Sequence, residues 1–249
     1  MINPMDLSGK RILITGASSG IGKDTAIYLS RLGAHITLIA RREKALQDVL
    51  SIMEGSGHSY YIMDLSDISS IEGNITGIIE TEGSFDGMVH CAGVGDNRPL
   101  RQLRYENAHN IMLVSYYAYL ELVRAMTKRG SYNSGFSIVG VSSIATQTCR
   151  PSQTAYAAAK SAMDAMMRCL ALELSPKGIR INNVAPAMIA TEMYETFKRK
   201  YNYDEAHMKR EGRMGVGETV DVANAIAFLL SDAAKFITRS CVEISGGDH

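Results

Sequence analysis

The sequence predicts an α/β fold: a parallel sheet with helices on both faces. Two observations carry this. Apolar runs of four to seven residues alternate along the chain with longer helical patterns. The runs are continuously apolar rather than alternating in polarity, as expected of strands buried on both faces.

Taken in order, Arg11–Thr15 reads as the first strand and stops at Gly16. A helix follows over 21–32 and ends at Gly33. His35–Ala40 is the second strand, 41–53 a helix and Tyr60–Met63 the third strand. Residues 68–82 read as a weaker helix because Gly73 and Gly77 interrupt it. Gly87–Cys91 is the fourth strand, 103–129 one long helix and Phe136–Val141 the fifth strand. An Ala-rich helix over 153–174 is stopped by Pro176 and Gly178. Ile179–Val184, a helix over 220–230 and the short run Val242–Ile244 complete the pattern. Neither a repeat nor a linker divides the 249 residues, so 1–249 reads as a single domain.

Composition narrows the class. Hydrophobic residues make up 46% of the chain, enough for a sizeable core, and 26 basic residues balance 26 acidic ones. A nucleic-acid partner is not expected, since it would call for a basic surplus. The first residues lack a basic stretch followed by an apolar one, so no secretory signal is expected. No run approaches about 20 apolar residues, so no membrane partner is expected either. Cys91, Cys149, Cys169 and Cys241 are widely spaced, without a metal-binding pattern. They read as reduced, mostly buried thiols of a cytoplasmic protein.

The turn between the first strand and first helix reads Thr15-Gly16-Ala17-Ser18-Ser19-Gly20-Ile21-Gly22. Glycines here permit a tight turn and let the backbone approach a pyrophosphate, which the following helix N-terminus favours. The end of the second strand then selects among dinucleotides. An acidic residue there would hold ribose hydroxyls, but this chain has Ala40-Arg41-Arg42. A guanidinium pairs with a 2′-phosphate, so NADP(H) is favoured over NAD(H).

Tyr156 and Lys160 are four apart on the Ala-rich helix and so share one face. Ser143 lies at the end of the fifth strand, where strand ends line a ligand crevice. Tyr156 suits proton donation to a carbonyl oxygen. An ammonium at roughly 4 Å contributes about 4 kcal/mol at an effective dielectric near 20, lowering the phenol pKa by about three at most. Ser143 would position the oxygen.

With these motifs the chain resembles the short-chain dehydrogenase/reductase family, from Lys10 to about Asp248. The shared motifs are Thr15 to Gly22, Cys91-Ala92-Gly93, Ser143, Tyr156-x-x-x-Lys160, Pro186 to Thr191 and Ser245-Gly246-Gly247. The resemblance implies a Rossmann-type, doubly wound parallel sheet of seven strands and a Ser-Tyr-Lys site. It also implies a homo-oligomer, dimer or tetramer. Cofactor contacts are implied at Gly16, Ser18, Ser19, Gly20, Ile21, Gly22, Asp64, Leu65, Cys91, Ala92, Gly93, Tyr156, Lys160 and Pro186. Ile189 and Thr191 would meet the carboxamide. Asp64 would reach the adenine, although it also reads as a helix N-cap.

Three departures stand out. Cys91 replaces the family's Asn, and a thiol braces a loop poorly. Pro-Gly becomes Pro186-Ala187. An Asn of the 103–129 helix usually joins a proton relay to the lysine. Asn110 best fits this catalytic role, although aligning back from Met126 places Ile111 there, and Asn107 is an alternative. Gly130 to Gly135 reads as an insertion.

The expected activity is reduction of a carbonyl to a secondary alcohol, or the reverse, on a small-molecule substrate. The pattern looks like that of 3-oxoacyl-[acyl-carrier-protein] reductases, and many sugar, steroid and small-ketone enzymes share it. A carrier-protein partner would need a basic patch, for which Arg98, Arg101, Arg104, Lys198, Arg199, Lys200, Lys209 and Arg210 are candidates. A cofactor-binding regulator without catalysis is the other alternative. Residues 192–217, with Met193, Tyr194, Phe197, Tyr201 and Tyr203, read as a substrate cover. The helices over 103–129 and 153–174 are apolar enough for a subunit interface.

Overall fold

The structure, a computed structural model, describes residues 3–201 and 214–248. Seven parallel strands form one sheet in the order β3-β2-β1-β4-β5-β6-β7. They are β1 (Arg11–Thr15), β2 (His35–Ala40), β3 (Ser59–Ile62), β4 (Phe85–His90), β5 (Tyr132–Val141), β6 (Arg180–Pro186) and β7 (Cys241–Ile244). The order turns back on itself between β1 and β4, which places the ligand crevice of such sheets beyond the carboxyl ends of those strands.

Each central strand feeds two cores. In β1, Leu13 faces a core built with α3 (Ile68–Glu82), α5 (Ala118–Met126) and α7 (Thr154–Leu174). Its neighbours Ile12 and Ile14 face the other core, built with α1 (Gly20–Arg31), α2 (Glu43–Ser51) and α9 (Thr219–Leu230). Because both faces are covered, the period-2 alternation of strand side chains leaves no polar face. This is why the strands read as unbroken apolar runs. The glycines of α3 cost little, since a Cβ at Gly73 or Gly77 would meet nothing within 4 Å.

Three expectations change. The long helix over 103–129 is instead α4 (Tyr105–Met112), a π-helical turn (Leu113–Tyr117) and α5. The expected insertion at 130–135 is absorbed by β5, which starts at Tyr132. Phe85 pairs with Tyr132 but Gly87 pairs with Ser137, so β5 bulges there. The cysteines are not mostly buried: Cys149 and Cys169 are exposed, Cys91 and Cys241 half-buried, and all four are free. Cys149 ends the short helix α6 (Ala145–Thr148) in a left-handed conformation, at φ 42°. Cys169 lies on the outer face of α7, away from its buried stripe.

Between β6 and α9, residues Glu192–Tyr201 form α8. The rest of the expected cover, with Tyr203, Lys209 and Arg210, lies outside the described residues, as do the side chains of Phe197, Lys200 and Tyr201. Among the described residues, no helix is long and apolar enough to cross a membrane.

Candidate active site

The glycine turn is built by close approach. Gly16 and Gly20 have φ of 67° and 52°, a region that favours glycine. A Cβ on Gly22 would sit 2.4 Å from the Gly16 carbonyl oxygen, and one on Gly16 would sit 2.7 Å from the Ala92 nitrogen. Helix α1 starts at Gly20 behind Ser19, with no side-chain cap and no acidic residue in its first turn. Its first N–H groups and positive dipole end are therefore available to an anion. The turn thus fits the pyrophosphate of a dinucleotide, with Ser18, Ser19, Gly20 and Ile21 on its rim. Thr191 approaches this rim from the other side: a Cβ on Gly20 would lie 3.5 Å from its methyl group.

Arg42 reaches back to the turn, donating to Ser18 O at 3.4 Å and Ser18 Oγ at 3.3 Å. Arg41 is exposed beside Asp64. The Asp64 carboxyl is held below its usual range by hydrogen bonds from the Ser66 N–H and hydroxyl, and further by the Arg41 charge. Asp64 is not the helix cap, because α3 begins after Asp67. It is exposed at the end of β3, while Leu65 is buried.

Cys91 does not brace the loop after β4; Thr15 does. The Cys91 N–H donates to Thr15 O at 3.3 Å and the Ala92 N–H to Thr15 Oγ1 at 3.4 Å. The Cys91 Cβ would lie 3.1 Å from a Cβ on Gly22, and burial pushes the thiol pKa up to about 12. On the far side, the Ile144 N–H donates to Pro186 O at 3.1 Å, joining the Ser143 loop to the end of β6. Ile189 is buried after Ala187, and Thr191 Oγ1 accepts the Tyr194 N–H at 3.2 Å to start α8.

Ser143, Tyr156 and Lys160 meet beside this crevice. The Ser143 side chain pulls the Tyr156 phenol pKa down, but burial outweighs it, so the phenol stands above its ordinary value. Lys160 Nζ lies 5.8 Å from the Tyr156 ring centroid and donates to Val141 O at 2.6 Å. The expected strong depression of the phenol by an adjacent ammonium is therefore absent here. Lys160 is 4% exposed, and burial lowers its own pKa to about 8.

Asn110 is not brought to this cluster. It is exposed on α4, while Ile111 beside it is buried. Asn107 Oδ1 instead accepts the Arg104 N–H at 3.3 Å and caps α4. The polar residue that the helix brings inward is Ser115, inside the π turn and fully buried, with no partner for its hydroxyl. A Cβ on Gly93 would lie 3.5 Å from Lys160 Nζ and 3.9 Å from Ser115 Oγ, so both groups border the space over Gly93. Nothing in the sequence marked Ser115, because a π turn shifts the helix register by a residue. Over the mouth, a Cβ on Gly95 would lie 2.9 Å from Met193 Sδ, while Tyr194 is buried.

The family profile described as enoyl-(acyl carrier protein) reductase matches residues 16–249. The chain belongs to the short-chain dehydrogenase/reductase family, a family of oxidoreductases. It is 31% identical over 241 residues to the 3-oxoacyl-[acyl-carrier-protein] reductase FabG of Haemophilus influenzae, covering 97% of this chain and 98% of that protein. It is 32% identical over 250 residues to the L-xylulose reductase of Caenorhabditis elegans, covering 97% and 96%. Among solved structures, a Tyr-to-Phe variant of ElxO with NADPH bound is 25% identical with a TM-score of 0.86, covering 96% of this chain and 98% of that one.

Proposed function

We propose that this protein is an NADP(H)-dependent oxidoreductase that interconverts a small carbonyl compound and its secondary alcohol. The convergence of Ser143, Tyr156 and Lys160 beside the glycine turn carries the reading. The cradle at Gly16 and Gly22, where any Cβ would collide, fits a pyrophosphate. Arg41 and Arg42, with no carboxylate at Ala40, fit a 2′-phosphate. Asp64 and Leu65 would border the adenine; Cys91, Ala92 and Gly93 the middle of the cofactor; and Pro186, Ile189 and Thr191 its nicotinamide end. When bound, the nicotinamide supplies or accepts the hydride.

The chain's own residues do the rest. Ser143 holds the substrate oxygen by a hydrogen bond. Tyr156 gives that oxygen its proton in reduction and takes it back in oxidation, a role that general acid catalysis makes worth about 10²–10⁴-fold. Lys160 keeps positive charge near the phenolate. Ser115 Oγ borders the same space over Gly93 as Lys160 Nζ, which supports Ser115 rather than Asn110 as the group that extends this proton path.

Relatives that act on an acyl-carrier thioester and on a sugar are about equally similar. The reading therefore stops at a carbonyl substrate, with the 3-oxoacyl thioester as one arm of the test. Of the basic residues that could form a carrier-protein docking patch, Arg98 is paired with Asp96 at 2.7 Å. An oligomer fits the shallow apolar depression formed by Tyr116, Ala162, Ala165, Met166, Cys169 and Leu170, about 400 Å³ in volume. Reduced, free cysteines fit a cytoplasmic setting.

The test follows NADPH and NADH oxidation in parallel across sugars, simple ketones and 3-oxoacyl thioesters. Tyr156→Phe is expected to remove at least about 100-fold of kcat. Arg41→Asp with Arg42→Asp is expected to erase the NADPH preference. Full activity in Tyr156→Phe, or NADPH binding without turnover on every carbonyl tried, refutes the enzymatic reading.

A further inference from the structure

Behind Lys160 lies a second buried polar cluster. One helical turn along α7 from Lys160 sits Asp164, and both residues are 4% exposed. The Asp164 carboxylate accepts a hydrogen bond from Asn183 Nδ2 at 2.7 Å, and the Cys241 thiol lies 3.9 Å from the same oxygen. Asn183 is on β6 and Cys241 on β7, so three elements hold one carboxylate in the core. A buried carboxylate so placed is costly unless a cation answers it.

We propose that Asp164 is a positioning residue: its buried carboxylate, held by Asn183, is the countercharge that keeps Lys160 protonated beneath Tyr156. The inference rests on the Ser-Tyr-Lys reading for its consequence in catalysis, but not for the charge pairing itself.

The other groups around the pair cannot take this role. His90, on β4, is held neutral: burial and then the Lys160 charge push its pKa down to about 3. Its ring stacks on Tyr119 at 4.8 Å, and its Nδ1 lies 2.9 Å from Thr15 Oγ1. Its Nε2 has no partner in bonding geometry. Cys91, beside Lys160, stays a thiol because burial pushes it up to about 12. Burial first, and the Asp164 charge second, keep the Tyr119 phenol neutral. Cys241 is pushed up to about 12, by burial first and Asp164 second. Tyr156 is neutral for the reason given above. Arg168, one further turn along α7, is exposed and acts on Cys241. Burial drives Lys160 toward its neutral form, and Cys91 first and Asp164 second oppose it. Cys91, held as a neutral thiol, carries no charge to do so, which leaves the Asp164 carboxylate one turn away.

The experiment uses the full chain. Lysine side-chain NMR follows the titration of Lys160, assigned by the signal that Lys160→Met removes. Charges on adjacent helical turns in a buried setting couple by about one pH unit or more. In Asp164→Asn the Lys160 midpoint is expected to fall by at least that much, whereas Asp164→Glu keeps it near the native value. If Asp164→Asn does not fold, Asp164→Ser removes the same charge, and the fall of the Lys160 midpoint is read in that variant. A Lys160 midpoint within a few tenths of a unit of native in the folded variant that lacks the Asp164 charge overturns the pairing.

Kinetics then test its use. Asp164→Asn should retain near-native activity at its acidic end and lose the alkaline limb of kcat about one pH unit early. A uniform loss at every pH overturns the positioning role and leaves a structural one. Activity that survives Tyr156→Phe sinks the Ser-Tyr-Lys reading instead, and the NMR result stands apart from it.

Discussion

Replacing Lys160 with Met should reveal how much stability the native protein gives up to keep an ammonium in its core. Met nearly matches the aliphatic stem, so packing changes little. Burial brings the Lys160 pKa from 10.5 in the open chain to about 8 in the fold. At about 1.36 kcal/mol per pH unit, the penalty is about 3 kcal/mol wherever the lysine is charged in both states. The sign follows from proton binding. The unfolded chain holds this proton more tightly, so the penalty is complete below about pH 8 and fades as pH rises toward 10.5. Urea unfolding of native protein and Lys160→Met at about pH 7 and about pH 10 isolates the effect. The lost hydrogen bond to Val141 O costs the variant about 1 kcal/mol at either pH and cancels in the difference. The stability of the variant relative to native should be greater at pH 7 than at pH 10 by about 2 to 3 kcal/mol. A relative stability that is the same at both pH values would refute the claim that Lys160 is strongly depressed.

Two further predictions concern the turn and the thiols. Gly22→Ala places a Cβ 2.4 Å from the Gly16 carbonyl oxygen, against backbone that cannot yield. Titration followed by fluorescence should show NADPH affinity falling by at least about 10-fold, with the helix content in circular dichroism unchanged. Native-state labelling with a maleimide, counted by mass spectrometry, should modify the exposed Cys149 and Cys169 quickly. Cys91 and Cys241, whose thiols are pushed up to about 12, should wait for unfolding. Four equally fast thiols would contradict the burial described here.

Much of the molecule was legible in the chain. Leu13 between Ile12 and Ile14 announces a strand covered on both sides, and seven such runs give the sheet. Tyr156 and Lys160 share a helix face because of their spacing, and Gly16, Gly20 and Gly22 mark the turn because no other residue fits it. These are local properties: a few consecutive residues determine backbone conformation and side-chain direction.

What failed was of another kind. Asn110 has the right chemistry and nearly the right position, yet a π turn over Leu113–Tyr117 leaves it in solvent and brings Ser115 inward. Gly130 to Gly135 looked inserted until β5 took up the extra length as a bulge. Ser143, Tyr156 and Lys160 could be singled out from sequence as a candidate site, but their protonation could not. Lys160 bonds to Val141 O rather than lying against the phenol, and burial raises Tyr156. The same holds for Asp164, an unremarkable acid in an Ala-rich helix until β6 and β7 close over it. Spacing along the chain determined which side chains share a face. Their burial and charge are sums over neighbours distant in sequence, so only the tertiary structure decided them.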